Sequence, residues 1–144
     1  MRISAKGRLA LIALCEMTLS DQSQLITLAS LSQKLGCSKL YLEQVFAALR
    51  RAGLVHASKG AGGGYLLARK PEEITAYDIL APIELSLFAP TEKTAEETAL
   101  HIETSLHNFV FSPLDKAVED SLQAVTLSYL AEKANTRESD MYYI

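Results

Sequence analysis

The feature that most constrains this chain lies between Thr27 and Ala68. Two short amphipathic helices, each stopped by a glycine, run directly into a glycine-rich hairpin. Thr27 is placed to cap a helix over Leu28–Leu35, with Leu28, Leu31 and Leu35 on one stripe and Gly36 just past its end. Ser38 caps the next helix, Lys39–Ala52, in which Leu42, Val45, Phe46 and Leu49 recur at i, i+3, i+4 and i+7, and Gly53 stops it. Leu54–Ser58 then reads as a strand, Lys59–Gly64 as a turn and Tyr65–Ala68 as a second strand.

Two helices across a tight glycine turn, followed by such a hairpin, predict a mainly α fold built on a winged helix-turn-helix with a two-stranded wing. In that geometry the second helix of the pair enters the major groove of DNA, and the wing reaches the backbone or the minor groove. An apolar helix precedes the motif, over about Ser4–Leu19. Its run Leu9–Cys15 follows Arg2, Lys6 and Arg8 and imitates a secretion signal. Leu14 is not the small residue that cleavage wants, and Glu16 follows at once, so a buried helix is expected instead. After the wing, Thr75 is placed to cap a helix over Ala76–Leu87 that Pro82 interrupts, and Thr91 to cap one over about Glu92–Asn108, with Ala95, Ala99, Ile102 and Leu106 on one face. Glu92, Glu96 and Glu97 suit the positive end of that helix. Pro113 is expected to start a long C-terminal helix, Leu114–Ala134, whose stripe Leu114, Val118, Leu122, Val125 and Tyr129 resembles a coiled-coil dimerisation seam, or packs within one chain. Three regions follow: 1–84 as the winged-helix unit, 85–134 as effector and dimerisation helices, and 135–144 as a tail without an assigned place.

Charge separates along the same lines. Residues 1–70 carry ten Lys/Arg against three acids, +7, and residues 71–144 carry four against fourteen, −10, within an overall −3. The basic half argues for a polyanion partner, and the acidic half for an effector or a protein partner. No apolar run reaches the ~18–20 residues of a membrane span. The two cysteines, Cys15 and Cys37, are too few for a disulfide framework, which points to a reducing, cytoplasmic setting.

Five segments then carry a resemblance: Met1–Arg8, Ser38–Gln44, Leu49–Val55, Lys59–Leu67 and Ile74–Ile79, in order and with matching spacing. Together they resemble the bacterial winged-helix regulators that include the iron–sulfur regulator IscR, the nitric-oxide repressor NsrR and the cysteine-metabolism regulator CymR. The match is strong over 1–84, weaker over 113–131 and nearly absent between. The resemblance implies a homodimeric regulator, a repressor, that binds double-stranded DNA at an imperfect palindrome. It implies that Lys39, Tyr41, Glu43 and Gln44 face the major groove, where Glu43 accepts from a cytosine amine and Gln44 pairs with adenine, and it adds Ser38 to the DNA-binding residues. Arg2, Lys6 and Arg50 are implied phosphate contacts. Lys59, Gly60, Gly62 and Gly63 are implied to form the wing tip, with Lys59 where relatives often carry Arg, whose planar fork it lacks.

Many relatives hold an iron–sulfur cluster on three cysteines between the fourth helix and the dimer helix. Residues 84–113 contain no cysteine, and thiolates are the usual holders of such clusters. His101 and His107, six apart, point to different faces of one helix. A regulator without a cluster, metal or other cofactor is therefore expected, answering to a small molecule or a protein. Cys37 reads as a small buried residue or as a redox-sensitive thiol at a helix start. The loop Gly60–Gly64 opens a strand rather than a helix and lacks a following Lys-Ser/Thr, so it is not a phosphate cradle. No nucleophile–base pair supports an enzyme. The competing reading is a winged-helix interaction module that no longer binds DNA.

Overall fold

The computed structural model describes residues 2–141, without the side chain of Glu96. The helices are α1 (Ala5–Leu19), α2 (Leu28–Leu35), α3 (Lys39–Arg51), α4 (Ala76–Leu80), α5 (Glu96–Leu106), α6 (Ser112–Gln123) and α7 (Leu127–Met141). The strands β1 (Val55–Ser58) and β2 (Gly64–Leu67) lie between α3 and α4. A 3-10 turn spans Pro71–Glu73 and a π turn spans His107–Phe111.

The starts of the head helices are set by short polar side chains that accept otherwise unpaired backbone N–H groups. Ser4 accepts from Gly7, Thr27 from Ser30 and Ser38 from Tyr41. At α4 the exchange is reciprocal: Thr75 accepts from the Asp78 amide while the Asp78 carboxylate accepts from the Thr75 amide. Gly36 ends α2 in the left-handed conformation, at φ 65°.

One core joins these elements. Ala10, Ala13 and Leu14 of α1 meet Leu28 and Leu31 of α2, and Leu42, Val45, Phe46 and Leu49 of α3. Leu54, Val55, Ile74 and Ile79 close it from the wing and α4, and Leu127 of α7 completes it. α1 is the hub, touching α3, α4, β2 and α7, which explains why its sequence is apolar on more than one face. The two strands pair antiparallel, with Val55 opposite Leu67 and Ser58 opposite Gly64. Ile26 adds one residue of a third strand, exchanging both backbone bonds with Tyr65 at 2.8 and 3.0 Å.

The helix boundaries beyond the wing differ from those the sequence predicts, each for a physical reason. α4 ends at Leu80 rather than Leu87, because Pro82 has no amide to continue the ladder. α5 starts at Glu96 rather than Glu92, and Thr91 does not cap it; the buried Glu103 carboxylate instead accepts from the amides of Thr94 and Ala95 at 2.9 and 2.7 Å. Ala99, expected on a packed face, sits at a kink (φ −144°, ψ 45°). Pro113 lies in the first turn of α6, where a helix start was expected, but that start is not a free one. α5, the π turn and α6 follow one another without a break, and Ser112 donates to the carbonyl of His107, five residues back. The widened turn makes room for a proline whose ring would otherwise crowd the carbonyl four residues before it.

The expected helix Leu114–Ala134 is also divided, after Gln123. The Val125 carbonyl accepts from Ala76, and the Leu127 amide donates to Ile74 at 2.7 Å, so a bridge between Thr75 and Thr126 replaces helical bonds there. α7 then folds back onto α1, burying Leu127 and Ala131. The head therefore comprises residues 4–84 together with α7, and α5 with α6 form an arm. Residues 135–141, expected as a tail, continue α7, and residues 142–144 lie outside the described residues. No helix of the described residues is long and apolar enough to cross a membrane.

Candidate nucleic-acid interface

The interface is built on α3. Its apolar stripe faces the core, which leaves Leu40, Gln44, Ala47 and Arg51 exposed on the opposite side. Ser38 holds the start of this helix through its cap, its hydroxyl oxygen accepting from the Tyr41 amide. Tyr41 lies on one flank, with the Lys6 ammonium of α1 5.9 Å from its ring centre, a cation–π contact that ties the starts of α1 and α3 together. Lys6, Gln44 and Arg51 line one shallow cleft with Ala48 and Ile83. Lys39 and Glu43 occupy the other flank as an exposed i, i+4 pair at 3.9 Å, and Arg50 follows Glu43 by two turns. Arg2 is exposed just before α1.

Two of these residues escaped the sequence reading. Leu40 is 67% exposed at the centre of the outward face, and Arg51 rather than Arg50 shares that face with Gln44. The spacing 40, 44, 47, 51 opposite the apolar stripe was the available signal.

The wing is fixed against α3. The Tyr65 ring meets Phe46 edge-on, with centroids 4.9 Å apart, and the Ile26 pairing holds the same residue from the other side. At the tip, Lys59, Gly60 and Gly62 are exposed. Gly60 adopts φ 100°, a conformation that side chains disfavour. Gly63 donates its amide to the Gly60 carbonyl, and a Cβ there would lie 2.5 Å from the Ser58 carbonyl oxygen. Gly63 thus shapes the turn, with its amide already occupied.

Not every cation of the basic half belongs to this surface. Lys34 pairs with Glu16, and Arg69 with Asp78 and the Glu73 carbonyl; Arg8 donates to the Ile3 carbonyl at 2.6 Å. These three brace the head. The start of α1 is braced again by Glu84, a buried carboxylate that accepts from the Ser4 amide and hydroxyl at 2.8 and 2.6 Å. A Cβ on Gly7 would overlap that carboxylate.

The five residues of the expected seam fall on three elements. Leu114, Val118 and Leu122 lie on α6, Val125 in the break and Tyr129 on α7, where Lys133 stands 5.4 Å over its ring. No residue of α6 is buried. Leu114 is 57% exposed, and Phe109 and Val110 of the π turn add to the uncovered apolar face.

A thiolate-held cluster does not fit this chain. Its two cysteines both lie in the head: Cys15 on α1 and Cys37 between α2 and α3, each half-buried and packed against the core. Burial, with Glu16 beside it, pushes the Cys15 thiol up from its ordinary value, away from the thiolate a metal needs. Among the described residues, no three His, Cys, Asp or Glu side chains are grouped to hold an ion.

Comparison with known proteins agrees with the geometry. The model of the Rrf2 family, described as iron-dependent transcriptional regulators, matches residues 3–133. An HTH-type transcriptional regulator of Neisseria meningitidis serogroup A is 36% identical over 135 residues, covering 94% of this chain and 90% of that protein. IscR of Pectobacterium atrosepticum is 34% identical over 130 residues, 90% of this chain and 79% of its own length. Among solved structures, CymR, the global cysteine regulator of B. subtilis, superposes with a TM-score of 0.71 at 34% identity, covering 92% of this chain and 98% of CymR. IscR of T. potens gives the same TM-score at 30% identity, over 93% of this chain and 88% of its own. These relatives are named as transcriptional regulators, not enzymes. With its helix-turn-helix, its braced wing and a family match spanning nearly the whole sequence, the chain belongs to the Rrf2 family of DNA-binding transcriptional regulators.

Proposed function

We propose that this regulator acts as a homodimeric repressor in the cytoplasm, binding an imperfect palindrome without an iron–sulfur cluster and answering to an effector of another kind. The observation that carries the DNA reading is the outward face of α3. Gln44 and Arg51 share a cleft with Lys6, and Tyr65 packed on Phe46 holds the wing at a set angle to that face. Gln44 presents the donor–acceptor pair that suits adenine, and Leu40 an apolar tip that suits a thymine methyl. Glu43 accepts from a cytosine amine, sharing its carboxylate with Lys39. Arg2, Lys6, Arg50 and Lys59 contact phosphates and set register. Dimerisation is supported by the arm. Its uncovered apolar side, centred on Leu114, Phe109 and Val110, is suited to a second copy, and two copies place two reading heads on two half-sites.

The test is binding to a duplex selected from a random pool, followed by fluorescence anisotropy across a salt series. Gln44→Ala is expected to relax preference at one base pair per half-site by about 1–3 kcal/mol while leaving the salt slope unchanged. Unaltered base preference would remove Gln44 from the groove. Weak, salt-insensitive binding by the native chain would favour an interaction module that has lost DNA.

A further inference from the structure

The head and the arm enclose a cavity of about 190 Å³ that the DNA reading does not use. One wall is aromatic: Tyr77 of α4 and Phe88 meet edge-to-face with centroids 5.1 Å apart. Leu87 and Val118 extend the apolar lining, and all four side chains are half-buried. The opposite wall is α6, which contributes Asp115 and Glu119 at the rim. Among the described residues, no basic side chain lines the cavity. The Lys116 ammonium next to Asp115 is held by Asp120 at 2.9 Å instead. Two carboxylates facing an aromatic pair, in the half of the chain that carries −10, complement a cation with an apolar body: the carboxylates take the charge and the ring faces take both the charge and the hydrocarbon.

The place of the cavity matters as much as its lining. Tyr77 belongs to α4, whose first amide is tied to Val125 beside α7. The chain leaving α4 reaches Glu84, which holds Ser4 at the start of α1, next to Lys6 of the reading surface. A molecule wedged between α4 and α6 therefore bears on the elements that seat α1 against the DNA.

We propose that this cavity is the effector site, and that the effector is a compact organic cation, an amine carrying a small apolar or aromatic group. The assignment rests on the reading of the chain as an effector-controlled DNA-binding regulator and names the site and ligand class within it.

Benzylamine, with benzyl alcohol and benzoate as neutral and anionic counterparts of similar size, provides the test by isothermal titration calorimetry on the full chain. Benzylamine is expected to bind at least tenfold more tightly than either counterpart. The double variant Asp115→Asn, Glu119→Gln, altered only at exposed rim positions, is expected to lose at least tenfold of that affinity, and Phe88→Leu a smaller factor. Saturating amine is expected to change the affinity for the selected duplex severalfold in the native chain and not in the double variant. Equal binding of the alcohol, undiminished binding by the double variant, or duplex affinity indifferent to bound amine would each overturn the proposal. Duplex binding measured without amine keeps this outcome separate: its loss would strike the DNA reading, whereas its persistence with no response to amine would strike only the effector site.

Discussion

The head and the arm are made from similar apolar residues and use them in opposite ways. In the head, Leu14, Leu42, Phe46, Leu49 and Leu127 are sealed from solvent in one core. In the arm, Leu100, Ile102, Phe109 and Leu114 are each more than half exposed, and a carboxylate, Glu103, is buried instead. Both regions are helical, so the difference is not one of secondary structure. The head satisfies its apolar stripes within a single chain, and the arm leaves its own uncovered. The head is therefore the part that sets the stability of the single chain, and the arm the part on which the proposed dimer rests.

The largest effect expected from this contrast is on folding. Phe46 is fully buried and supports both α3 and the Tyr65 edge of the wing, so Phe46→Ala should cost about 3–5 kcal/mol in urea denaturation. Leu114→Ala, an equally apolar truncation in the arm, should change the denaturation of the monomeric unit by within about 0.5 kcal/mol. Similar losses at the two sites would erase the distinction.

A second pair sharpens the account of the wing. Gly63→Ala forces a Cβ against the Ser58 carbonyl and should cost about 1–3 kcal/mol. Gly62→Ala meets nothing within 4 Å and should be nearly silent in the same melt. The loss of the Ser38 cap comes next. Ser38→Ala should cost about 1 kcal/mol and weaken binding to all duplexes, because it loosens the start of α3 rather than removing a base contact. The smallest effect is electrostatic. Lys59→Ala or Arg50→Ala should each reduce the slope of log affinity against log salt by about 0.9, with base preference intact. Lys34→Ala, which breaks a pair with Glu16 instead, should leave that slope alone.

The head was legible because its local signals and its tertiary packing agree. Thr27, Ser38 and Thr75 all cap where their positions suggest, and the stripe of α3 is the buried stripe. The arm was misread where distant contacts override local ones. Pro113 does stand at the start of α6, yet α5 and the π turn run into that helix without the expected break. Val125 and Thr126 continue a helical spacing, yet backbone bonds to Ile74 and Ala76 break the helix there. Nothing in the sequence around Glu84 or Glu103 marks either as buried. Glu84 reaches Ser4, eighty residues away, and Glu103 turns back to the amides of Thr94 and Ala95; no helical periodicity encodes either pairing. At the interface, the side-chain types were evident while their shared direction was not. Periodicity placed Gln44 and Lys39 on one helix, but only the packed core shows that Leu40 and Arg51 look outward with Gln44.

The claim that the arm brings two reading heads to one site is tested most directly by sedimentation equilibrium on the selected duplex. The native chain is expected to bind as two copies per duplex, and Leu114→Asp, which places a charge on the uncovered face of α6, as one copy with at least tenfold weaker affinity. Two copies on the duplex from the aspartate variant, or a single native copy binding at full affinity, would contradict it.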